Sequence, residues 1–407
     1  MRIPLIAFAL ILTACSGETS RSGATVLDSA GIMIVSNDYT RPGWRREERW
    51  TLAVNPSIQI GNVLGDPTQQ LYQVAQSRRL QNGGVVVANT GLGDVRLYDA
   101  RGYHVRTIDV GDPVTAGPLR VYELDADSIL VYQADGSLSV FDSLGQRVGT
   151  ATLAPPGDGL EPSPEPLGVF EDGTMLFRAR HPRDSTASGV GRRKARLLRH
   201  GLDGELLGSL GDFDDDAVLF EDRGGYIFGP TGVAAAADST VWYGGGDRYE
   251  LREVAPDGRT LRIVRLDRPG IKVLQADVAS YRLAATNQVR STPRESTIET
   301  TLEASIFADT FPVFDRIIVD AIGDLWVRNY QWFDLGSGKN WTVFDHEGRY
   351  LGEVTTPSIL EIHQIGADYV LGRMSNGRGR EAVYIFVLEK PGSVTSPITD
   401  EEDPADR

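Results

Sequence analysis

A short turn built from Asp, Asn and Gly recurs between hydrophobic runs along almost the whole chain, and this recurrence restricts the fold more than any single motif. One series of turns occupies residues 99–102, 142–145, 203–204, 257–258 and 345–348. A second series alternates with the first, at residues 82–84, 125–128, 171–173, 237–239, 322–324 and 366–368. Gly, Asp and Asn supply the positive φ angles or the side-chain-to-backbone bonds that tight turns need. Each pair of turns therefore predicts two hairpins, which is a unit of four strands.

These units begin near residues 78, 122, 168, 232, 317 and 363. Six modules of four short strands, with little helix between them, are typical of a six-bladed β-propeller. The sequence therefore predicts an all-β protein in which residues 25–390 form one propeller domain.

The sixth unit lacks a fourth strand, because the chain reaches Pro391 soon after the apolar run 383–388. Two strand-like stretches, 50–54 and 57–60, precede the first unit and belong to none. We predict that an N-terminal strand completes the last blade, since such closure removes the exposed edge of an open sheet.

The N-terminus has the composition of a secretory signal. Arg2 precedes an apolar run at residues 3–12, which is too short to span a bilayer. Residues 12–15, Leu-Thr-Ala-Cys, resemble the lipobox of bacterial lipoproteins, and Cys15 is the one cysteine of the chain. The resemblance implies cleavage before Cys15 and acylation of that residue. An ordinary secretory signal with an incidental cysteine is the alternative.

We accordingly divide the chain into a signal peptide (1–14), a lipidated cysteine with a flexible tether (15–24), the propeller (25–390) and a disordered acidic tail (391–407). Ser16, rather than Asp, follows the cysteine, which favours the outer membrane of a bacterial cell envelope. The membrane is then a partner through the N-terminal lipid. The formal net charge of -15 argues against nucleic acid as a partner.

By its repeats the chain resembles the six-bladed propellers of the NHL-repeat and gluconolactonase-like type, and more narrowly bacterial six-bladed β-propeller lipoproteins. Residues 317–327 together with 342–348 carry this resemblance, which extends over about 50–388. It implies the fold, while propellers of this shape include binding scaffolds, hydrolases and lyases. Gluconolactonase-like enzymes hold a divalent metal with Glu, Asn and Asp, and Asn89 alone stands at a comparable strand end.

All large insertions fall on one predicted face, which carries the second-to-third-strand loops and the connections between blades. They comprise residues 179–196, 211–231, 267–315 and 329–340. We call this the elaborated face and the opposite one the plain face. Function is expected on the elaborated face, because binding loops sit on rigid scaffolds.

The longest insertion contains two helical patterns of apolar residues: Leu274, Val278 and Tyr281, and then Ile298, Leu302 and Ile306. They predict a small helical cap between blades four and five. The cap is either a lid over a ligand or a cover for apolar blade ends.

Polar and aromatic residues at the elaborated ends of the second strands are candidate ligand-binding residues. They are Asn89, Arg178, Arg180, Tyr243, Arg328, Tyr330, Trp332 and Arg373. Guanidinium groups pair with carboxylate, sulfate or phosphate, and aromatic rings stack on sugars. An anionic or carbohydrate ligand is therefore predicted, against the alternative that each arginine is solvated or ion-paired.

Signals for catalysis and cofactors are weak. No pair among the five histidines has the spacing of a zinc motif, so we predict no metal and no other cofactor. The acidic run 212–216 is interpreted as a solvated loop rather than a calcium site. Two functions follow: a membrane-anchored propeller that binds a protein partner or an anionic or carbohydrate ligand, or a metal-dependent hydrolase or lyase of a lactone, sugar acid or glycan.

Overall fold

The computed structural model describes residues 23–61, 63, 65–110, 119–221, 224–290, 294–333, 336, 338–375 and 379–391. The predicted signal peptide, Cys15 and nearly all of the predicted acidic tail lie outside the described residues. Within them the chain forms an all-β propeller of six blades, as its sequence predicts.

The strands follow the chain outward in each blade, from the channel to the rim. Four strands precede the blades: β1 (Thr25–Ser29), β2 (Ile32–Asp38), β3 (Thr51–Leu52) and β4 (Ile58–Ile60). Blade one contains β5 (Val74–Arg79), β6 (Val85–Asn89), β7 (Asp94–Tyr98) and β8 (His104–Asp109). Blade two contains β9 (Arg120–Glu123), β10 (Ile129–Tyr132), β11 (Ser137–Phe141) and β12 (Arg147–Thr152). Blade three contains β13 (Glu165–Val169), β14 (Met175–Arg180), β15 (Val190–His200) and β16 (Leu206–Leu219).

The remaining elements include the two helices. After β17 (Tyr226–Ile227), blade four contains β18 (Val233–Ala237), β19 (Thr240–Gly244), β20 (Glu250–Val254) and β21 (Thr260–Asp267). Then come α1 (Gln275–Val289), α2 (Glu295–Glu303) and β22 (Ile306–Phe307). Blade five contains β23 (Phe314–Val319), β24 (Leu325–Asn329), β25 (Lys339–Phe344) and β26 (Tyr350–Thr356). Blade six contains β27 (Glu361–Ile365), β28 (Tyr369–Ser375) and β29 (Glu381–Glu389).

The recurring turns form for the predicted reason. The Asp99 carboxylate accepts hydrogen bonds from the N–H groups of Arg101 and Tyr103, both at 2.9 Å. Gly102 closes the same turn at a φ of 85°, a conformation in which a side chain would be strained. Between the turns, the second strands β6 and β10 are buried along their whole length. Local turn chemistry and strand burial thus build each blade.

The ring closes through the N-terminal segment, as predicted. β4 pairs with β29 from Ile60 opposite Val383 to Ile58 opposite Ile385, and β3 pairs with the same strand further along. Trp50 packs against Trp326 of blade five, with ring centroids 5.9 Å apart. Blade six therefore obtains its outer edge from the beginning of the chain.

Two outer strands were not predicted. β2 runs parallel to β21 and β1 pairs antiparallel with β2, so the sheet of blade four has six strands. The N–H groups of Gly43 and Trp44 then donate to the carbonyls of Tyr350 and Leu351 at the edge of blade five. Residues 23–60 consequently join the outer edges of blades four, five and six in succession.

The insertion 267–315 forms the predicted helices, and we call α1, α2 and β22 the cap. β22 pairs in parallel with β17, which ties the cap to the connection between blades three and four. Leu302 is buried. Leu274 and Ile306 lie outside the helices with exposed fractions of 62% and 45%, so the predicted stripes were wrong at these two positions. Among the described residues no helix is both long enough and apolar enough to cross a membrane.

Candidate functional site

The first strands of the six blades surround a central channel that contains a cavity of about 530 Å³. Its wall is strongly charged. The basic residues of the wall are Arg78, Arg120, Arg178 and Arg316, the acidic ones are Glu123, Glu165, Asp315 and Glu361, and His363 lies among them. The cavity is therefore a polar chamber on the propeller axis.

β-Bulges in the first strands shape this wall. The pairing of the first strand with the second skips one residue in four blades, at Ala75, Leu167, Asp315 and His363. All four of these residues line the cavity. A bulge redirects a side chain from the regular alternation of a strand. In blade five it allows two consecutive residues, Asp315 and Arg316, to line the channel.

Three predicted arginines contact carboxylates of the channel wall in the same way. In blade three Arg178 contacts Glu165 at 2.5 Å, and in blade five Arg328 contacts Asp315 at 2.6 Å. The third pair lies in blade six, where the Arg373 guanidinium contacts one carboxylate oxygen of Glu361 at 2.7 Å. These arginines are ion-paired, and they hold three wall carboxylates in place.

The acidic run 212–216 lies in β16, so its interpretation as a solvated loop is wrong. Asp215 is completely buried, with one carboxylate oxygen 2.6 Å from Arg180 and the other 3.1 Å from Arg178. The cause is the unexpected length of the β15–β16 hairpin, which extends blade three and directs Asp215 inward. Arg180 is thereby oriented by Asp215 behind the channel wall.

A second group of arginines, on the first strands, donates mainly to backbone carbonyls. Arg78 donates to the carbonyl of His363 at 2.9 Å, and Arg120 to that of Leu119 at 3.0 Å. Arg316 donates to the carbonyl of Ile362 at 2.6 Å and lies 3.9 Å from Glu361, at the limit of an ion pair. The wall carboxylates of blades three, five and six already have closer arginine partners, and Glu123 of blade two is the remaining carboxylate of the wall. Three guanidinium groups beside one carboxylate leave net positive charge facing the cavity.

The burial of these guanidinium groups affects their protonation. Burial, and next the nearby Arg328, lower the pKa of Arg316 to about 10. Burial also lowers the pKa of Arg78. Arg316 still carries its charge at neutral pH, and its side chain is 29% exposed, so it can pair with an anion in the cavity.

His363 is the buried titratable group of the cavity. It is 7% exposed, and its Nδ1 lies 2.9 Å from the Ser77 hydroxyl. Its Nε2 has no hydrogen-bond partner within the described part of the chain. Burial, and next the positive charges led by Arg316 and Arg78, hold the pKa of His363 well below its ordinary value. The imidazole is neutral at physiological pH, and its Nε2 is available to a ligand or to water.

Other predicted residues have structural partners away from the cavity. Asn89 is completely buried; it accepts from the N–H of Tyr72 at 2.8 Å and donates to Asp94 at 2.7 Å. Tyr243 packs against Phe213 at 5.6 Å.

Two predicted aromatic residues, Tyr330 and Trp332, belong to a group of aromatic rings beneath the cap that includes Phe228 and Phe311. Tyr330 stacks on Phe311 at 5.9 Å, and Trp332 lies 5.2 Å from Phe228. Of the eight predicted ligand residues, Arg178 lines the cavity, and Arg328 and Arg373 reach its wall through their carboxylate partners.

Arg78, Arg120, Arg316 and His363 were not predicted, because the predicted site residues lie at the ends of the second strands. A signal for Arg78 is present in the sequence. Polar residues alternate on the first strands, as in Gln76 and Arg78, where core strands of a propeller are otherwise apolar. The bulges that bring Asp315 and His363 into the wall leave no such pattern. Among the described residues, no three His, Cys, Asp or Glu side chains are grouped so that they could hold a metal ion.

Comparisons with known proteins identify the fold. No protein-family profile matches the sequence, and no curated protein is significantly similar to it. A member of the DUF4221 family from Bacteroides vulgatus superimposes with a TM-score of 0.50 at 12% identity, over 85% of this chain and 100% of that one. Virginiamycin B lyase from Staphylococcus aureus gives 0.40 at 10% identity, over 84% and 100%. The first of these superpositions shows a shared fold, and neither match carries an activity from one protein to the other.

Proposed function

We propose that this protein is a lipid-anchored, extracytoplasmic binding protein of bacterial six-bladed propeller type, which holds a small anionic or carbohydrate ligand in its central channel. The anchor is the acylated Cys15 that the lipobox-like residues 12–15 imply, and Ser16 supports an outer-membrane location. The ligand site is the charged cavity on the propeller axis.

The observation that carries the ligand proposal is the set of first-strand groups around His363. Within the described part of the chain, Arg78 and Arg120 face the cavity without an ion pair, Arg316 has only the 3.9 Å contact with Glu361, and His363 Nε2 is buried without a hydrogen bond. A carboxylate, sulfate or phosphate oxygen would accept from the guanidinium groups. The volume of about 530 Å³ lies within the range of small-molecule sites, which favours a small ligand over a protein segment.

The paired carboxylates suggest how a sugar acid would be oriented. Glu165, Asp315 and Glu361 are fixed by arginines behind them and are acceptors for hydroxyl groups. The same cavity thus offers donors for an acidic group and acceptors for sugar hydroxyls. A uronic acid combines both kinds of group in one molecule.

Calorimetric titration of the mature protein with sulfate, glucuronate and an acidic glycan tests this proposal. Arg120→Ala and Arg316→Ala should weaken binding by about tenfold to a hundredfold, the range for hydrogen bonds to charged groups in a desolvated site. Arg259→Ala is the matched control, because Arg259 lies in an exposed turn on the plain face. Equal binding by all variants that keep the thermal unfolding of the parent, or no binding of any anion, would refute the proposal.

The alternative of a metal-dependent hydrolase or lyase rests on the fold resemblance, on the arginines predicted at the channel mouth and on Asn89. Its amide is engaged with Tyr72 and Asp94 inside blade one, which supports a structural role. Metal analysis of the purified protein discriminates the two functions. A stoichiometric divalent metal would favour the enzyme over the binding protein.

A further inference from the structure

The described chain begins next to the place where the cap leaves the propeller. The N–H of Gly23 donates to the carbonyl of Arg41 at 3.1 Å, and the N–H of Arg41 donates to that of Asp38 at the end of β2. Two residues before Arg41, the ring of Tyr39 lies under the guanidinium of Arg268, 4.9 Å from its centroid. Arg268 directly follows β21 and begins the segment that leads to α1.

The directions of the strands place the start of the described chain on the elaborated face. β21 runs toward that face, since the connection to the cap and to blade five follows it. β2 is parallel to β21, so it ends there, and the antiparallel β1 begins there. The N-terminal tether and the cap therefore leave the propeller side by side, at the rim of blades four and five.

The exposed surface of α1 differs from the acidic average of a protein with a formal net charge of -15. Three large apolar side chains of the cap region are mostly exposed: Ile271 (62%), Leu274 (62%) and Leu283 (64%). The exposed positions of α1 are Gln275, Ala276, Ala279, Ser280, Arg282, Leu283, Ala284, Asn287 and Gln288. No carboxylate occurs among them. The exposed surface of α1 therefore has apolar side chains to bury and no fully exposed carboxylate to repel lipid phosphates, whereas the neighbouring α2 exposes Glu299 and Glu303.

We propose that the exposed surface of α1 around Leu283 lies against a lipid bilayer, so that the elaborated face is turned toward the membrane. The inference rests on the proposed acylation of Cys15. The chain from Cys15 to Gly23 spans at most about 28 Å when fully extended. A lipid at Cys15 thus keeps the rim of blades four and five near the bilayer. Apolar side chains on a helix can then enter the headgroup region, where about 5–10 Å of penetration is typical.

Site-specific fluorescence in vesicles tests this orientation. Acylation blocks the thiol of Cys15, the one cysteine of the chain, so a cysteine introduced by Leu283→Cys is the one free thiol for a polarity-sensitive dye. Leu144→Cys on the plain face, also 64% exposed, is the matched control. In phosphatidylcholine vesicles that contain a lipid with a quencher near its headgroup, the dye at position 283 should be quenched roughly twofold or more, and the dye at position 144 should not.

The outcomes separate the orientation from the anchor. Vesicle flotation and the mass of the N-terminal peptide report acylation independently of the dyes. A protein that does not float and lacks the lipid refutes the anchor, and the orientation with it. If the protein floats but the two dyes are quenched equally, the orientation alone is overturned. The orientation is also overturned if the dye at position 283 reports a less polar environment but is not quenched by the lipid, because the cap would then contact protein rather than lipid.

Discussion

The buried carboxyl of Asp324 should lower the folding stability at neutral pH by an amount that is absent near pH 4, and Asp324→Asn should remove this cost. Asp324 is 5% exposed, in the turn before β24 on the plain face. Burial, and next the neighbouring Asp320 carboxylate, raise the pKa of Asp324 to about 6, and the Asp345 carboxylate acts in the same direction. Lys390 and His346 act in the opposite direction.

The sign follows from the raised pKa. Below the unfolded pKa of 3.8, Asp324 is protonated in both the folded and the unfolded state and costs nothing. Between that value and about 6, the unfolded state loses its proton first, so the stability falls as pH rises. A shift of about two units corresponds to about 3 kcal/mol at neutral pH. Asparagine has nearly the same shape and no charge, so it should recover about 1–3 kcal/mol there and almost nothing at pH near 4.

Thermal and urea unfolding of the parent and of Asp324→Asn, at pH 7.5 and pH 4, measure this difference. Asp158→Asn, in an exposed position after blade two, is the control and should have no effect at either pH. If Asp324→Asn changed the stability equally at both pH values, or lowered it at pH 7.5, the reasoning from burial would be wrong.

Two further predictions concern stability. Asp215→Ala should lower the free energy of unfolding by about 3–5 kcal/mol, since it leaves Arg178 and Arg180 facing an empty buried position. The control Asp214→Ala removes a half-exposed ion pair and should lower it by at most about 1 kcal/mol. Equal losses of stability for the two variants in urea unfolding would contradict this difference. Deletion of residues 49–60 should destabilise all six blades in one cooperative transition, because β3 and β4 close the ring, and an unchanged thermal unfolding curve would disprove that role.

The repeating architecture was predictable because its causes are local. The Asp99 and Gly102 turn uses bonds and backbone angles within five residues, and the same chemistry recurs in blades two to five. Closure by residues 50–60 was also predictable, since a missing strand at one end of the chain and a spare strand at the other leave one way to remove the open edge.

The wall of the channel was not predictable, because its composition depends on register and on distant partners. The bulge at His363 changes which side chains of β27 face the cavity, and no local pattern announces it. The burial of Asp215 depends on the extended β15–β16 hairpin and on two arginines of β14. Turn chemistry in the sequence therefore determined the six blades. Only the tertiary structure, through pairing between strands far apart in the chain, decided which charges meet on the axis and which of them have no close counter-charge among the described residues.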